Sequence, residues 1–271
     1  MRIAPLTANL VKDDEGIWSA HSHEAVSYLE EGNDECFKIE DDSFWFNHRN
    51  RCIEALLRRH APGGMFCDIG GGNGYVAAYL SKQGFPVMLV EPGRAGAANA
   101  RRRGVATVVC ATLGTAGFPS ESLPAVGIFD VLEHVEKDGA FLSEIRRTLV
   151  PSGMLYITVP AFEWLWSDDD VMAGHFRRYT IRNLSARVRE AGFEPVYSSY
   201  FFSLLPLPLF AMRSLPSLFG RRSLQRKNYA NLHRARKPKL LDVVWERELA
   251  MISRGGFIPF GSSCIFAARK I

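Results

Sequence analysis

The stretch FCDIGGGNGYV occupies positions 66–76 and places four glycines within five residues, directly after an apolar run that contains Asp68. Glycine adopts positive φ without strain, and its missing side chain lets a ligand lie against the main chain. In open α/β sheets, ligands bind beyond the carboxyl ends of the strands. If the apolar run is a strand, the glycines predict a ligand-binding loop at its end.

The middle of the chain alternates short apolar runs with amphipathic segments, which is typical of a parallel sheet with crossover helices. Strands are predicted at MFCDI (65–69), PVMLVE (86–91), ATVVCA (106–111), AVGIFD (125–130), MLYITV (154–159), EPVYSSYFF (194–202) and SSCIFAARK (262–270). Helices are predicted at 75–84, 95–104, 137–153 and 180–193. We expect an α/β fold with a doubly wound, seven-stranded, mostly parallel Rossmann-like sheet, and the last two strands as its edge hairpin.

This pattern divides the chain into four parts. We expect a helical or irregular N-terminal extension (1–60), a Rossmann-like core (61–202), an insertion (203–257) and the last core strand (258–271). The insertion is too long for a simple loop and should form its own helices.

Composition narrows the class of protein. The 271 residues suffice for one large domain or for one domain with a substantial insertion. The five cysteines are scattered, and none forms a CxxC pair, so neither a disulfide framework nor a zinc ribbon is indicated. The first residues also lack the basic and apolar regions of a signal peptide, and we expect a cytoplasmic protein.

Two cofactor patterns compete for the glycine stretch. A dinucleotide-binding G-x-G-x-x-G would begin at Gly70 and Gly72, but Tyr75 stands where the third small residue should be. A large ring there would obstruct the packing of helix against strand. The pattern acid-x-G-x-G-x-G is met in full by Asp68, Gly70, Gly72 and Gly74. Its acid suits a ligand with a cationic amino-acid end, because the carboxylate can balance an ammonium group.

The second predicted strand ends in LVEPG, where Glu91 can accept hydrogen bonds from both hydroxyls of a ribose. An acid at this place also occurs in nicotinamide dinucleotide sites, so Glu91 alone does not decide between the two cofactors.

The segment from about 44 to 202 resembles the bacterial class I S-adenosylmethionine-dependent methyltransferases of the methyltransferase domain 11/23 type. The matching stretches are FCDIGGGNGYVAAYL, LVEPG, FDVLEHVEKDGAFLSEIRRTLVPSGMLYITVPA, and GHFRRYT followed by AGF. The resemblance implies S-adenosylmethionine as cofactor. The cofactor-binding residues that it implies are Asp68, Gly70, Gly71, Gly72, Asn73 and Gly74 for the methionine part, Glu91 with Pro92 for the ribose, Ala111 and Thr112 beside the adenine, and Asp130 and Val131 at the methyl-transfer site. In similar proteins an aromatic segment with an arginine closes over the cofactor, so Arg49 in FWFNHRN is a candidate for its carboxylate.

His134 in DVLEH is the candidate catalytic base, since it lies a turn beyond the fourth predicted strand and its ordinary pKa suits proton transfer. The resemblance to quinone O-methyltransferases offers a weaker alternative, in which Asp130, Glu133 and His134 hold a divalent metal. A third interpretation is that Glu133 and His134 only brace the following helix. We expect no metal.

The segment WSDDDVMAGHFRRYT (166–180) should face the methyl acceptor. Its three aspartates are expected in a solvated loop, with Asp170 available to an arginine. Guanidinium groups suit a carboxylate or phosphate on the acceptor. The predicted acceptor-binding residues are Trp45, His175, Arg177, Arg178 and Tyr179, although ordinary packing of Trp45 and an ion pair of one arginine with the N-terminal extension are the alternatives.

The insertion is apolar at FFSLLPLPLFAMRSLPSLFGRR (201–222), and no acidic residue occurs from 201 to 241. A lid over the site or a homodimer face is favoured over peripheral contact with an anionic membrane through 201–240. A nucleic-acid partner is disfavoured because no recognition module is evident. The sequence as a whole predicts a methyltransferase acting on an oxygen of a small or lipid-linked, sugar-like or anionic acceptor. The alternatives are a non-catalytic partner subunit and a nicotinamide-dependent oxidoreductase.

Overall fold

The structure is a computed structural model that describes residues 7, 9–20, 37, 39–61, 63–218 and 239–271. In this part of the chain one sheet contains nine strands. In chain order they are β1 (Leu10–Lys12), β2 (Trp18–Ala20), β3 (Phe66–Ile69), β4 (Val87–Val90), β5 (Thr107–Cys110), β6 (Leu123–Phe129), β7 (Leu149–Pro160), β8 (Phe193–Phe201) and β9 (Ser263–Lys270).

The spatial order is β1-β2-β5-β4-β3-β6-β7-β9-β8. Strands β2 to β7 pair in parallel with their neighbours in this order. Strand β9 lies antiparallel between β7 and β8. The predicted doubly wound α/β class and the antiparallel pair of final strands are therefore confirmed.

The predicted strand number of seven was too low. Strands β1 and β2 form an antiparallel hairpin in the N-terminal extension, and β2 adds in parallel to β5. Each has three residues, which is too short for an alternating pattern to be recognised in the sequence. The extension is thus partly a continuation of the sheet rather than only helical or irregular.

Helices cover both faces of the sheet. They are α1 (Phe44–Arg59), α2 (Tyr75–Lys82), α3 (Arg94–Arg102), α4 (Leu113–Ala116), α5 (Asp138–Thr148), α6 (Asp168–Ala173), α7 (Ile181–Glu190), α8 (Pro206–Leu209), α9 (Leu215–Leu218) and α10 (Lys239–Ser253). A π-helical turn (Phe210–Ser214) joins α8 to α9, and 3₁₀ turns occupy Leu132–His134 and Glu163–Leu165.

Strand β3 shows why the central strands are apolar throughout. All four of its residues are buried, because successive side chains point to opposite faces and both faces carry helices. Phe66 packs with Ile53 of α1 and Leu80 of α2. Cys67 packs in the opposite core with Leu142 of α5. This double burial fixes β3 at the centre of the sheet. The glycine loop follows its carboxyl end, on the side of the sheet where the parallel strands end.

The described parts of the insertion are helical, as expected, and α10 is anchored to α1. The Trp245 ring stacks on the His48 ring with centroids 4.5 Å apart. Glu248 is buried, and its Oε2 lies 3.0 Å from His48 Nε2. The same carboxylate accepts hydrogen bonds from the main-chain N–H groups of Phe202 (3.0 Å) and Ser203 (2.6 Å). A buried carboxylate needs such partners, and these tie α10 to both α1 and the end of β8.

The two outer strands of the described sheet are irregular or short. Strand β8 pairs only with β9, and its register shifts between Pro195 and Tyr197. At the other side, β1 ends with Val11 and Lys12, whose side chains are exposed.

No helix within the described ranges is both long enough and apolar enough to cross a lipid bilayer.

Candidate active site

The glycine loop leaves one stretch of main chain open beyond β3. A Cβ atom built on Gly71 would lie 2.7 Å from Asp68 Oδ2, so the close approach of the loop to that carboxylate requires glycine. A Cβ on Gly70 would lie 2.8 Å from Val131 Cγ2. Gly72, by contrast, has a φ of +53° and would have no atom within 4 Å of an added Cβ. The main chain at Gly72 is therefore accessible to a ligand.

The carboxylate of Asp68 is buried, and one of its oxygens has no hydrogen-bond partner. Its side chain is 1% exposed, and Oδ2 has no hydrogen-bond partner. The pKa of Asp68 is raised to about 7, mainly by burial and also by the charge of Glu91, while the charge of Arg49 acts in the opposite direction. An unpartnered buried carboxylate is costly, so its position beside the open Gly72 indicates a site for a cationic group of a ligand.

Glu91 follows β4 and connects that strand to the glycine loop. Its buried carboxylate accepts hydrogen bonds from the N–H groups of Gly72 (2.9 Å) and Gly93 (2.8 Å). Pro92 is half-buried beside it. The structure thus places Glu91 against the predicted cofactor loop, where it also orders the loop.

Three other predicted cofactor residues have structural partners. The Asn73 amide donates to Glu40 Oε1 (3.3 Å) and accepts from Asn99 Nδ2 (3.0 Å). Thr112 is the N-cap of α4, and Ala111 is buried next to it. The predicted roles of these three in cofactor binding stay predictions.

Arg49 and Asp130 meet at the end of β6. An Arg49 guanidinium nitrogen donates to Asp130 Oδ2, and Thr158 Oγ1 donates to Oδ1 over 3.1 Å. Asp130 has a φ of +57°, a left-handed conformation that is uncommon outside glycine and is often found at functional sites. The Arg49 guanidinium also lies over the rings of Phe46 (5.0 Å) and Trp45 (5.7 Å). Arg49 therefore connects helix α1, on which it lies, to Asp130 at the predicted methyl-transfer site.

The 3₁₀ turn after β6 brings Glu133 and His134 to His175. The rings of His134 and His175 are nearly perpendicular, with centroids 4.6 Å apart. Burial, followed by the nearby His175, lowers the pKa of His134 to about 4, although the charge of Asp130 and hydrogen bonds to the main chain of Ala173 and Gly174 act in the opposite direction. Burial, followed by the charge of Asp130, raises the pKa of Glu133 well above its ordinary value.

The structure brings a different third side chain to Glu133 and His134 than the one in the weaker metal alternative. Among the described residues, the group with suitably close ligand atoms is Glu133, His134 and His175, all within 4.8 Å of one another. Asp130 is instead engaged by Arg49 and Thr158. The sequence could not show this because His175 is brought in by tertiary packing.

The aspartate run is helical, contrary to the expectation of a solvated loop. Asp170 lies in the first turn of α6 and forms a capping box with Ser167. It is 1% exposed, and its oxygens accept from Arg178 Nε (2.9 Å) and Nη2 (3.0 Å). His175 Nδ1 lies 2.8 Å from Oδ1. The spacing of Ser167 and Asp170 could have predicted the helix cap. The burial of Asp170 could not be predicted from the sequence.

The remaining predicted acceptor residues are largely engaged within the chain. Arg177 Nη1 lies 2.8 Å from Asp138 Oδ2. Tyr179 is 2% exposed, and its hydroxyl lies 3.2 Å from the same carboxylate. Trp45 is half-buried and stacks on Phe202 with centroids 5.0 Å apart. In this arrangement Tyr179 belongs to the core, whereas His175 and Trp45 remain partly accessible.

Replacing Arg178 with alanine should destabilise the fold by about 3–5 kcal/mol, because the buried Asp170 carboxylate loses its charged partner. Burial alone would raise the pKa of Asp170, but hydrogen bonds from His175 and Arg178 bring it below the ordinary value. The stabilisation is therefore present above about pH 4 and is lost as the pH falls further. Urea unfolding at pH 7 measures the effect. Exposed Arg182→Ala is the matched control, and an equal change in both variants would contradict the prediction.

The sequence profile of a methyltransferase-domain family matches residues 44–198, more than half of the chain. The chain belongs to this family. The match covers the glycine loop, the β6 turn and the α6 region described above, and it confirms the prediction of an S-adenosylmethionine-dependent methyltransferase. No curated protein matches the sequence.

Solved structures share the fold of this methyltransferase at low sequence identity. The protein partnered with the Trm112 methyltransferase activator of Haloferax volcanii is 16% identical, with a TM-score of 0.59, over 90% of this chain and 97% of that one. A Thermotoga maritima protein described as a possible histamine N-methyltransferase is 18% identical, with a TM-score of 0.52, over 89% and 95%. The Haemonchus contortus phosphoethanolamine N-methyltransferase 2, solved with S-adenosyl-L-methionine, is 18% identical, with a TM-score of 0.57, over 90% of this chain and 58% of its own.

Proposed function

We propose that this methyltransferase transfers a methyl group from S-adenosylmethionine to an oxygen of a small or lipid-linked, sugar-like or anionic acceptor. The observation that carries the cofactor part is the buried Asp68 carboxylate without a partner, beside the open main chain of Gly72. A donor with an ammonium group and no phosphate fits this pair, because the carboxylate gains a counter-charge and the backbone allows close approach.

Further residues would hold the donor from the neighbouring strand ends. Glu91 would accept hydrogen bonds from the ribose hydroxyls, and Ala111 with Thr112 would border the adenine. Arg49 would bind the donor carboxylate, which requires it to share or exchange its present hydrogen bond to Asp130. The position of Arg49 on α1 would couple the packing of this helix to donor binding.

S-adenosylmethionine supplies a methyl group on a positively charged sulfur, and the C–S electron pair returns to sulfur as the acceptor oxygen forms the new C–O bond. The chain must hold the acceptor in line with that bond, and such positioning is worth about 7–11 kcal/mol. His134 is proposed to take the proton of the acceptor hydroxyl. With a pKa of about 4, it is neutral and able to accept at pH 7.

An apolar cavity supports an acceptor with a lipid or other hydrophobic part. It has a volume of about 430 Å³, and its apolar lining residues are Trp164, Trp166, Phe210 and Leu218, beside the polar Glu163, Ser167, Asp168 and Ser217. Trp164 is 43% exposed, and its ring meets the Phe210 ring edge-to-face with centroids 5.5 Å apart. Aromatic surfaces of this kind favour apolar ligands, and the cavity lies between residues 163–168, which follow β7, and residues 210–218 of the insertion.

For the rest of the protein we propose a cytoplasmic location with the insertion (203–257) serving as a lid or a dimer face. Exposed Leu207, Met212 and Leu218 provide apolar surface for either role. Peripheral contact with an anionic membrane is the competing role. Sedimentation with anionic vesicles distinguishes them, since a lid leaves the protein in the supernatant.

The proposed function is tested first by calorimetry with S-adenosylhomocysteine and with NAD. Binding of the nucleoside and not of NAD is expected, and the reverse would overturn the cofactor assignment. A screen of cell extract with isotopically labelled donor then identifies the product by mass. A label found on nitrogen or carbon would refute O-methylation while leaving the donor assignment in place.

A further inference from the structure

Three side chains of the types that bind metal ions lie close together beside the predicted methyl-transfer site. Glu133 and His134 come from the 3₁₀ turn after β6, and His175 comes from the segment after α6. One ligand atom of each lies within 4.8 Å of the other two. Because Asp130 and Val131 immediately precede the turn, the group lies next to the residues predicted to border methyl transfer.

The Glu133 carboxylate is a second, independent sign of a cation. The side chain is 1% exposed, and Oε2 has no hydrogen-bond partner. A buried carboxylate oxygen in that state requires a proton or a cation nearby. The imidazoles of His134 and His175 beside it offer nitrogen ligands. A bound cation would contact all three side chains, whereas a proton on Glu133 would not.

His175 is oriented in the way that metal-binding histidines are. Its Nδ1 lies 2.8 Å from Asp170 Oδ1, which leaves Nε2 as the nitrogen for ligation. Asp170 is itself fixed by two hydrogen bonds from Arg178. A carboxylate that holds the second ring nitrogen sets the tautomer and direction of a metal-binding histidine.

We propose that Glu133, His134 and His175 bind one divalent transition-metal ion, of the Zn²⁺ or Mn²⁺ class, in this methyltransferase. Two imidazoles and one carboxylate suit these ions, and three protein ligands leave a position for an exogenous oxygen. The inference rests on the proposed function, because that position would take the acceptor hydroxyl. With the ion bound, His134 is a ligand rather than the base. The ion lowers the pKa of the coordinated hydroxyl, so its proton passes to solvent while the oxygen keeps the electron pair that forms the bond to the methyl carbon.

The test is calorimetric titration of the chelator-treated full chain with Zn²⁺ and with Mn²⁺. We expect one ion per chain for the wild type. Glu133→Gln, which keeps the shape of the side chain, and His175→Ala should each weaken binding at least tenfold. Asp170→Asn should weaken it about 10–100-fold through His175. His60→Ala, at the far end of α1, should bind like the wild type.

Binding of S-adenosylhomocysteine is measured on the same samples and separates the two proposals. It should be unchanged in Glu133→Gln and His175→Ala. No ion binding, or equal binding by the wild type and both ligand variants, would overturn the metal site while the cofactor assignment stands. Turnover that survives complete removal of metal would also overturn it. Loss of nucleoside binding in the wild type would instead refute the proposed function.

Discussion

Asp68→Asn should weaken binding of S-adenosylmethionine about 10–100-fold, because a hydrogen bond to a charged group contributes about 1.5–3 kcal/mol. The asparagine side chain has nearly the shape of aspartate, so the glycine loop should keep its conformation. The amide cannot balance the ammonium group of the donor. Calorimetry with the donor and with S-adenosylhomocysteine measures the loss.

The same substitution should stabilise the donor-free protein at neutral and higher pH. The pKa of Asp68 is about 7 in the folded chain because the group is buried. The unfolded chain has the ordinary value near 4, so the folded state binds more protons between about pH 4 and 7 and loses stability as the pH rises through that window. This loss is on the order of 4 kcal/mol, and burying an amide without a partner offsets about 2 kcal/mol of the gain.

Urea unfolding at pH 5 and pH 8 checks this second effect. The wild type should lose more stability between these values than Asp68→Asn. The exposed Asp14, in the turn between β1 and β2, supplies the control Asp14→Asn, which should change neither binding nor the pH dependence. Donor affinity within twofold of the wild type in Asp68→Asn would contradict the assignment of the ammonium site.

His134→Ala should lower turnover about 10²–10⁴-fold, the range found when a general base is removed. Donor affinity should change less than about twofold, because Asp68, Gly72 and Glu91 lie on other strand ends. If His134 is the base, its pKa near 4 means that wild-type turnover should rise as the pH increases through that value and should be flat near neutrality. Loss of a metal ligand would reduce turnover as well, and the ion titration distinguishes the two causes.

The matched control for this variant is His60→Ala. His60 is also a partly buried histidine whose pKa is lowered, first by burial. It follows α1 near the start of β3, at the opposite edge of the sheet. Turnover should therefore stay close to that of the wild type. If His134→Ala retains full turnover, or if it loses donor affinity and turnover in equal proportion, neither catalytic role for His134 holds.

The sequence was most informative where local chemistry repeats along the chain. Buried parallel strands are continuous apolar runs, so β3, β4 and the glycine loop between them could be predicted from the sequence pattern. Contacts between distant segments could not. The approach of His175 to His134 and the burial of Asp170 under Arg178 depend on how α6 folds back onto the turn after β6. Asp168 and Asp169 stay partly exposed, whereas Asp170, for which an arginine partner was expected, forms a buried ion pair with Arg178.

The outer strands of the sheet also constrain how two copies of the chain could meet. Strand β1 has only three residues and carries the exposed side chain of Lys12, while β8 contains Pro195 and a shift in its register. Edge strands that are short, charged or irregular disfavour pairing with a strand from another molecule. Continuous intermolecular sheets should therefore be disfavoured even in concentrated preparations. For the described part of the chain, a homodimer through helical surfaces is therefore favoured over one through the outer strands.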